Sequence, residues 1–190
     1  MAWLVCDYGE VISRPQSEDD LAGIAAMCGR DGAAFAEAYW SVRPDYDRGD
    51  IDAHAFWRSI AAGELGPERL AALSEADVAS WTRLDESSMR AVERAEHRGY
   101  RLALLSNAPF EVARLLDAHP WFGRFEHRLF SCDLRLTKPD PAIYHALLTR
   151  LGCEPGEATF VDDRAANIAA AEAVGIRAIE YSSPEIFDDL

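Results

Sequence analysis

The sequence predicts an α/β fold: a Rossmann-like parallel sheet with helices on both faces, plus a small all-helical cap inserted after the first strand. Three observations carry this. Short apolar runs stop abruptly at polar residues, as buried strands do. Helical patterns of about 10–15 residues separate these runs, the alternation of a parallel sheet. One long stretch, residues 14–85, shows helical patterns and no clear strand. The predicted core is therefore 1–13 and 86–190, and the predicted cap is 14–85.

Taken in order, Trp3, Leu4, Val5 and Cys6 form the first apolar run, which ends at Asp7. Cap helices are predicted over 18–27, 32–40, 53–62 and 67–81. A helix over 88–97 precedes the stop signal Gly99, and a strand over 101–105 halts at Ser106 and Asn107. A helix over 110–118 follows Pro109, and 126–130 is a possible further strand. The helix over 141–151 has Pro141 in its first turn and Gly152 at its end, the preferred placement of both residues. The run 158–161 stops at Asp162 and Asp163, a helix over 165–174 ends at Gly175, and 177–180 is a weaker strand. Ligands of open parallel sheets bind beyond the carboxyl ends of the strands. Asp7, Ser106–Asn107 and Asp162–Asp163 thus share one sheet edge and mark a candidate site.

Composition narrows the partners. The chain has 190 residues, 49% hydrophobic and 27% charged, as a globular protein does. Its 33 Asp and Glu outweigh 19 Lys and Arg, for a net charge of −14. Such a chain is repelled by nucleic acid and by anionic lipid, so neither is expected as a partner. No segment reaches the ~18 apolar residues of a membrane span. The opening from Met1 to Asp7 lacks the basic region of a secretory leader. Cys6, Cys28, Cys132 and Cys153 are scattered without ligand spacing, which favours free thiols and a cytoplasmic location. His54, His97, His119, His127 and His145 likewise show no ligand pattern and read as structural or solvated.

Asp7 alone could be a turn residue. Asp162 and Asp163 are adjacent carboxylates that repel each other, and a cation shared with a third carboxylate, Asp7, would relieve this. Oxygen ligands with room for water and phosphate suit Mg²⁺. Of the basic residues 18 are Arg and one is Lys, Lys138. A solitary Lys offers a compact point charge that the planar fork of Arg cannot imitate, although a surface lysine is the ordinary alternative. Ser106 and Asn107 offer a hydroxyl, an amide and helix N-terminal N–H groups, which are phosphate-binding groups.

Together these residues resemble the haloacid dehalogenase-like hydrolase superfamily. Asp7 after a strand, Leu104-Leu105-Ser106-Asn107, Lys138-Pro139-Asp140-Pro141-Ala142-Ile143-Tyr144, and Phe160-Val161-Asp162-Asp163 with Asn167-Ile168 and Gly175-Ile176 match its four motifs in order. The helical insert is similar to that family's first type of cap, and Tyr46-Asp47-Arg48-Gly49-Asp50-Ile51 resembles a segment common in its small members. The resemblance implies a phosphoric monoester hydrolase acting on a small phosphorylated, sugar phosphate-like metabolite. Asp7 would be the nucleophile that forms an aspartyl-phosphate. Ser106 and Lys138 would act on the phosphoryl oxygens, with Asn107 beside them. Asp7, Asp162, Asp163 and the carbonyl of Gly9 would hold Mg²⁺.

The sequence departs from the family at Gly9, where most phosphatases carry a second Asp as general acid. Some relatives with Gly there are phosphatases of small sugar phosphates. Glu10, one residue on, is a candidate substitute, with a solvated or structural carboxylate as the alternative. Family members that are 2-haloacid dehalogenases also lack the second Asp, but typically lack the first carboxylate of the Asp162–Asp163 pair. A metal-independent dehalogenase and a non-catalytic binding relative therefore stand as alternative readings. In the cap, Arg43 and Arg48 are candidates for a second anionic group of the substrate, with surface ion pairing as the alternative. Trp40 reads as cap core.

Overall fold

The computed structural model describes residues 2–190; Met1, the first residue of the stretch read for a leader, lies outside them. After β1 (Trp3–Cys6) come α1 (Glu18–Cys28), α2 (Gly32–Asp47), α3 (Ala53–Ile60), α4 (Pro67–Trp81) and α5 (Glu86–His97). Then follow β2 (Arg101–Ser106), α6 (Phe110–Ala118), β3 (His127–Phe130), α7 (Ser131–Leu134), α8 (Pro141–Leu151), β4 (Ala158–Asp162), α9 (Ala165–Ala173) and β5 (Arg177–Glu180). The strands form one parallel sheet in the order β3-β2-β1-β4-β5. This is the predicted α/β architecture with a helical insert after the first strand.

The sheet is buried on both faces, which is why β1 and β2 read as continuous apolar runs rather than alternating ones. Leu4, Cys6, Leu102, Leu104 and Val161 face α5 and α6 in one apolar cluster. Trp3, Val5, Ala103, Leu105 and Phe160 face α8 and α9 in another. Cys6 is in register with Leu104 of β2 and Val161 of β4. Asp7 and Asp162, one residue on, and Ser106, two residues on, therefore emerge at one edge.

The insert has its own core, in which Ile24, Phe35, Tyr39, Phe56, Trp57, Ile60 and Leu73 pack together. Its helices start where the sequence supplies caps: Ser17 in a capping box for α1, Asp31 for α2 and Asp52 for α3. Two crossings join insert and core. Ser13 bridges Leu84, flanked by Arg14 N–H to the Arg83 carbonyl (2.7 Å) and Asp85 N–H to the Ile12 carbonyl (2.8 Å).

The second helix differs from the expectation. It does not stop at residue 40 but continues through Pro44 to Asp47. Pro44 costs only one backbone N–H, and the extra turns put Tyr39, Arg43 and Asp47 on one face at i, i+4 spacing. The end of α2 then docks on the core. Tyr46 Oη donates to Glu111 Oε2 (2.8 Å), Ser131 Oγ donates to the Asp47 carbonyl (2.5 Å), and Arg135 donates to the Gly49 carbonyl. Gly49 has a φ of 77°. A β-carbon there would lie 2.9 Å from Phe110 Cε2 and 3.1 Å from the Cys132 carbonyl oxygen. Gly49→Ala combines left-handed strain with this clash and should lower unfolding stability by about 1 kcal/mol or more; urea denaturation measures it.

Candidate active site

Asp7, Asp162 and Asp163 each place a carboxylate oxygen within 4.8 Å of the others. The Lys138 ammonium sits among them, with Nζ 2.7 Å from Asp7 Oδ1 and 2.7 Å from Asp162 Oδ2. Its third donor goes to the Leu105 carbonyl at 3.0 Å. Lys138 is held through its backbone: its N–H donates to Asn107 Oδ1 (2.9 Å), and Asn107 Nδ2 donates to its carbonyl (2.9 Å). The Asn107 amide thus positions the lysine.

Asp162 is fully buried and hydrogen-bonded. Asn167 Nδ2 donates to both of its oxygens (2.8 and 3.0 Å), and the Arg164 N–H donates to Oδ1 (2.9 Å). Asp7 Oδ1 also accepts from the Tyr8 N–H at 2.7 Å. Burial pushes the Asp7 carboxyl up to about 7; Lys138 opposes the shift, while Asp162 and Asp163 add to it. Asp163 is raised as well, by burial first and then by Asp162. Burial disfavours the charge of Lys138, but Asp7 and Asp162 outweigh it and raise its pKa. Three carboxylates against one ammonium are short of positive charge, and an oxygen donor set of this kind could hold a divalent cation.

A cavity of about 280 Å³ opens over these groups, with Asp7, Ser106, Asn107, Lys138 and Asp163 on the core side. Ser106 is buried, yet among the described residues nothing hydrogen-bonds its hydroxyl. Gly9 and Glu10 line the cavity on the turn after β1, Glu10 exposed and with a φ of 58°. A β-carbon at Gly9 would lie 3.7 Å from the edge of Trp81, so that position has room but no acid.

The cap closes the cavity with Trp40, Arg43, Asp47 and Trp81. Trp40 is 43% exposed and lies edge-on to Trp81, so it forms cavity wall rather than cap core. Arg43 lines the cavity, but its charge is committed. Nε donates to Asp47 Oδ1 (2.6 Å), Nη1 donates to Tyr39 Oη, and Asp77 lies 3.7 Å away. It stacks over Trp81 at 5.1 Å. Arg48 pairs on the surface with Asp45 and Asp50. Sequence reasoning missed Asp47, Trp81 and Arg164. The i, i+4 pairing of Arg43 with Asp47 was the available signal for the first.

A family model described as haloacid dehalogenase-like hydrolase matches residues 18–175. The (S)-2-haloacid dehalogenase 4A of Burkholderia cepacia is 34% identical over 95 residues, 48% of this chain and 40% of that protein. Phosphoglycolate phosphatase 1 of Pseudomonas aeruginosa is 37% identical over 84 residues, 43% of this chain and 30% of that protein. The chain thus matches less than half the length of either relative. In fold it is similar to a HAD family enzyme from Bacteroides thetaiotaomicron, with a TM-score of 0.81, 18% identity and 96% and 94% of the two chains covered. The complex of that enzyme with magnesium and inorganic phosphate superposes with a TM-score of 0.77 at 19% identity.

The raised Asp7 carboxyl makes stability pH-dependent. Between the unfolded value near 4 and the folded value of about 7, the folded state holds a proton that the unfolded chain has released. This contribution is full at low pH and is lost as pH rises through about 7. Without divalent cations, Asp7→Asn should resist urea better than the unsubstituted chain at pH 8, and the difference should vanish toward pH 4. Urea midpoints across this range test it.

Proposed function

The chain belongs to the haloacid dehalogenase-like hydrolase family, and from that premise we propose that it is a magnesium-dependent phosphatase of a small phosphorylated metabolite. The observation that carries the reading is the Lys138 ammonium 2.7 Å from both Asp7 and Asp162, with Asp163 completing the carboxylate trio. A metal-free dehalogenase would leave this negative charge uncompensated, whereas the donor set fits magnesium.

Asp7 is the nucleophile. Lys138 and the Tyr8 N–H hold its Oδ1, so Oδ2 is the oxygen with no protein partner among the described residues. Oδ2 attacks phosphorus to form the aspartyl-phosphate, and the bond to the leaving alcohol breaks. Lys138 keeps Asp7 ionised for this step, and with the Ser106 hydroxyl it steadies the phosphoryl oxygens as charge moves onto them. Water then attacks the same phosphorus and frees Asp7. Asp7, Asp162, Asp163 and the Gly9 carbonyl would hold magnesium, which when bound neutralises charge on the carboxylates and the phosphoryl group. The sugar phosphate-like class of substrate rests on the resemblance at Gly9 and on the small cavity.

Phosphate release from a panel of sugar phosphates and other small esters should require Mg²⁺, stop with EDTA and fall to background in Asp7→Asn. Turnover indifferent to EDTA, or halide release from 2-haloacids without metal, would overturn the reading. Lys138→Arg should lose at least about 10²-fold in kcat, because the wider guanidinium cannot occupy the space between Asp7 and Asp162.

A further inference from the structure

The leaving alcohol needs a proton, and Gly9 has no side chain to give one. Four carboxyl residues line the cavity among those described: Asp7, Glu10, Asp47 and Asp163. Asp7 is the nucleophile, Asp163 belongs to the acidic trio, and Glu10 is exposed on its turn. We propose that Asp47, at the end of the second cap helix, is the general acid and base of the phosphatase reaction, so that the cap supplies the group missing from the core. This rests on the phosphatase reading above.

The geometry fits that role. Asp47 is tied to the core through its own carbonyl, which accepts from Ser131 Oγ at 2.5 Å. The same Ser131 Oγ accepts from the Ala108 N–H at 2.9 Å, two residues from Ser106. The cap carboxyl is thus registered to the phosphate-side loop. Arg43 Nε holds Oδ1 at 2.6 Å, and among the described residues Oδ2 has no protein partner. Three charged groups act on this carboxyl: Arg43 from the same helix, Asp77 from α4 and Arg164 from the turn before α9. Burial pushes it up to about 6 in spite of Arg43, near the pH at which an acid and base must both work.

As Asp7 Oδ2 bonds to phosphorus, the ester oxygen leaves with its bonding pair and takes the proton from Asp47 Oδ2. The products are the alcohol, the aspartyl-phosphate and the Asp47 carboxylate. In the second half, that carboxylate takes a proton from the water whose oxygen attacks phosphorus. Asp7 departs with its bonding pair, phosphate is released, and Asp47 is protonated again.

The test is the leaving-group dependence of the full-length, Mg²⁺-loaded protein on aryl phosphates from p-nitrophenyl to phenyl phosphate. An acid matters little to a good leaving group and much to a poor one. Asp47→Asn keeps an acceptor for Arg43 but carries no acidic proton. It should keep kcat/KM on p-nitrophenyl phosphate, which is set by the first phosphoryl transfer, within a few-fold and lose about 10²-fold of kcat/KM on phenyl phosphate. Loss of the base slows the second half for both esters alike, so kcat falls on both. Retained kcat/KM on the first ester also reports a folded protein. If kcat/KM falls equally on both esters, or on neither, the assignment falls while the phosphatase reading stands. If Glu10→Gln shows the selective loss instead, the role passes to Glu10 and the assignment falls. If the unsubstituted protein hydrolyses none of these esters, the phosphatase reading falls and takes the assignment with it.

Discussion

One buried ammonium holds the site together. Lys138 is only 1% exposed and lies between two carboxylates that come from different strands. Taking such charges out of water is costly unless geometry and hydrogen bonds are close to ideal. The surrounding structure meets that condition. The parallel register fixes where Asp7 and Asp162 emerge, Asn107 clamps the lysine backbone from both sides, and Asn167 donates to both oxygens of Asp162. Asp7, Asp162, Asn107 and Asn167 are each placed by a strand end or a helix start, and Lys138, on the turn before α8, is held there by Asn107, which keeps the distances narrow.

The cap repeats the device with the other cation. Arg43 is as buried as Lys138, and its fork reaches Asp47, Tyr39 and the neighbourhood of Asp77 together. A point charge suits the crowded gap at the sheet edge; a planar fork suits a bridge between helices. The two cations divide the work. One serves the core carboxylates, and the other fixes the cap wall on which Trp40 and Trp81 also stand. On the cap side of the cavity the Trp40 and Trp81 rings stand beside the Arg43–Asp47 pair.

Much of this was legible in the sequence, because the strand ends are local signals. Each apolar run announced its own stop at Asp7, Ser106 or Asp162, and the parallel fold brings such stops together without further information. Lys138 stood out because no other lysine competes with it. The cap wall was less legible. Whether Trp40 is core or wall depends on how the cap sits on α6 and α7, which no local pattern encodes. The helix that carries Arg43 and Asp47 runs on past residue 40 because packing of Tyr39, Tyr46 and Phe56 outweighs the single donor lost at Pro44. The sequence leaves Arg43 between a substrate anion and a surface ion pair, because its buried partner Asp77 lies on another helix, far away in the chain.

The solitary lysine also has a consequence for how the protein can be handled. Every other basic side chain is an arginine, so the exterior presents no lysine amine to acylating or crosslinking reagents. The one ε-amine is protonated and walled in by Asp7, Asp162 and the Leu105 carbonyl. Lysine-directed labelling of the native fold is therefore a reporter of access to this edge of the sheet: a reagent that reaches Lys138 has first found the cavity open.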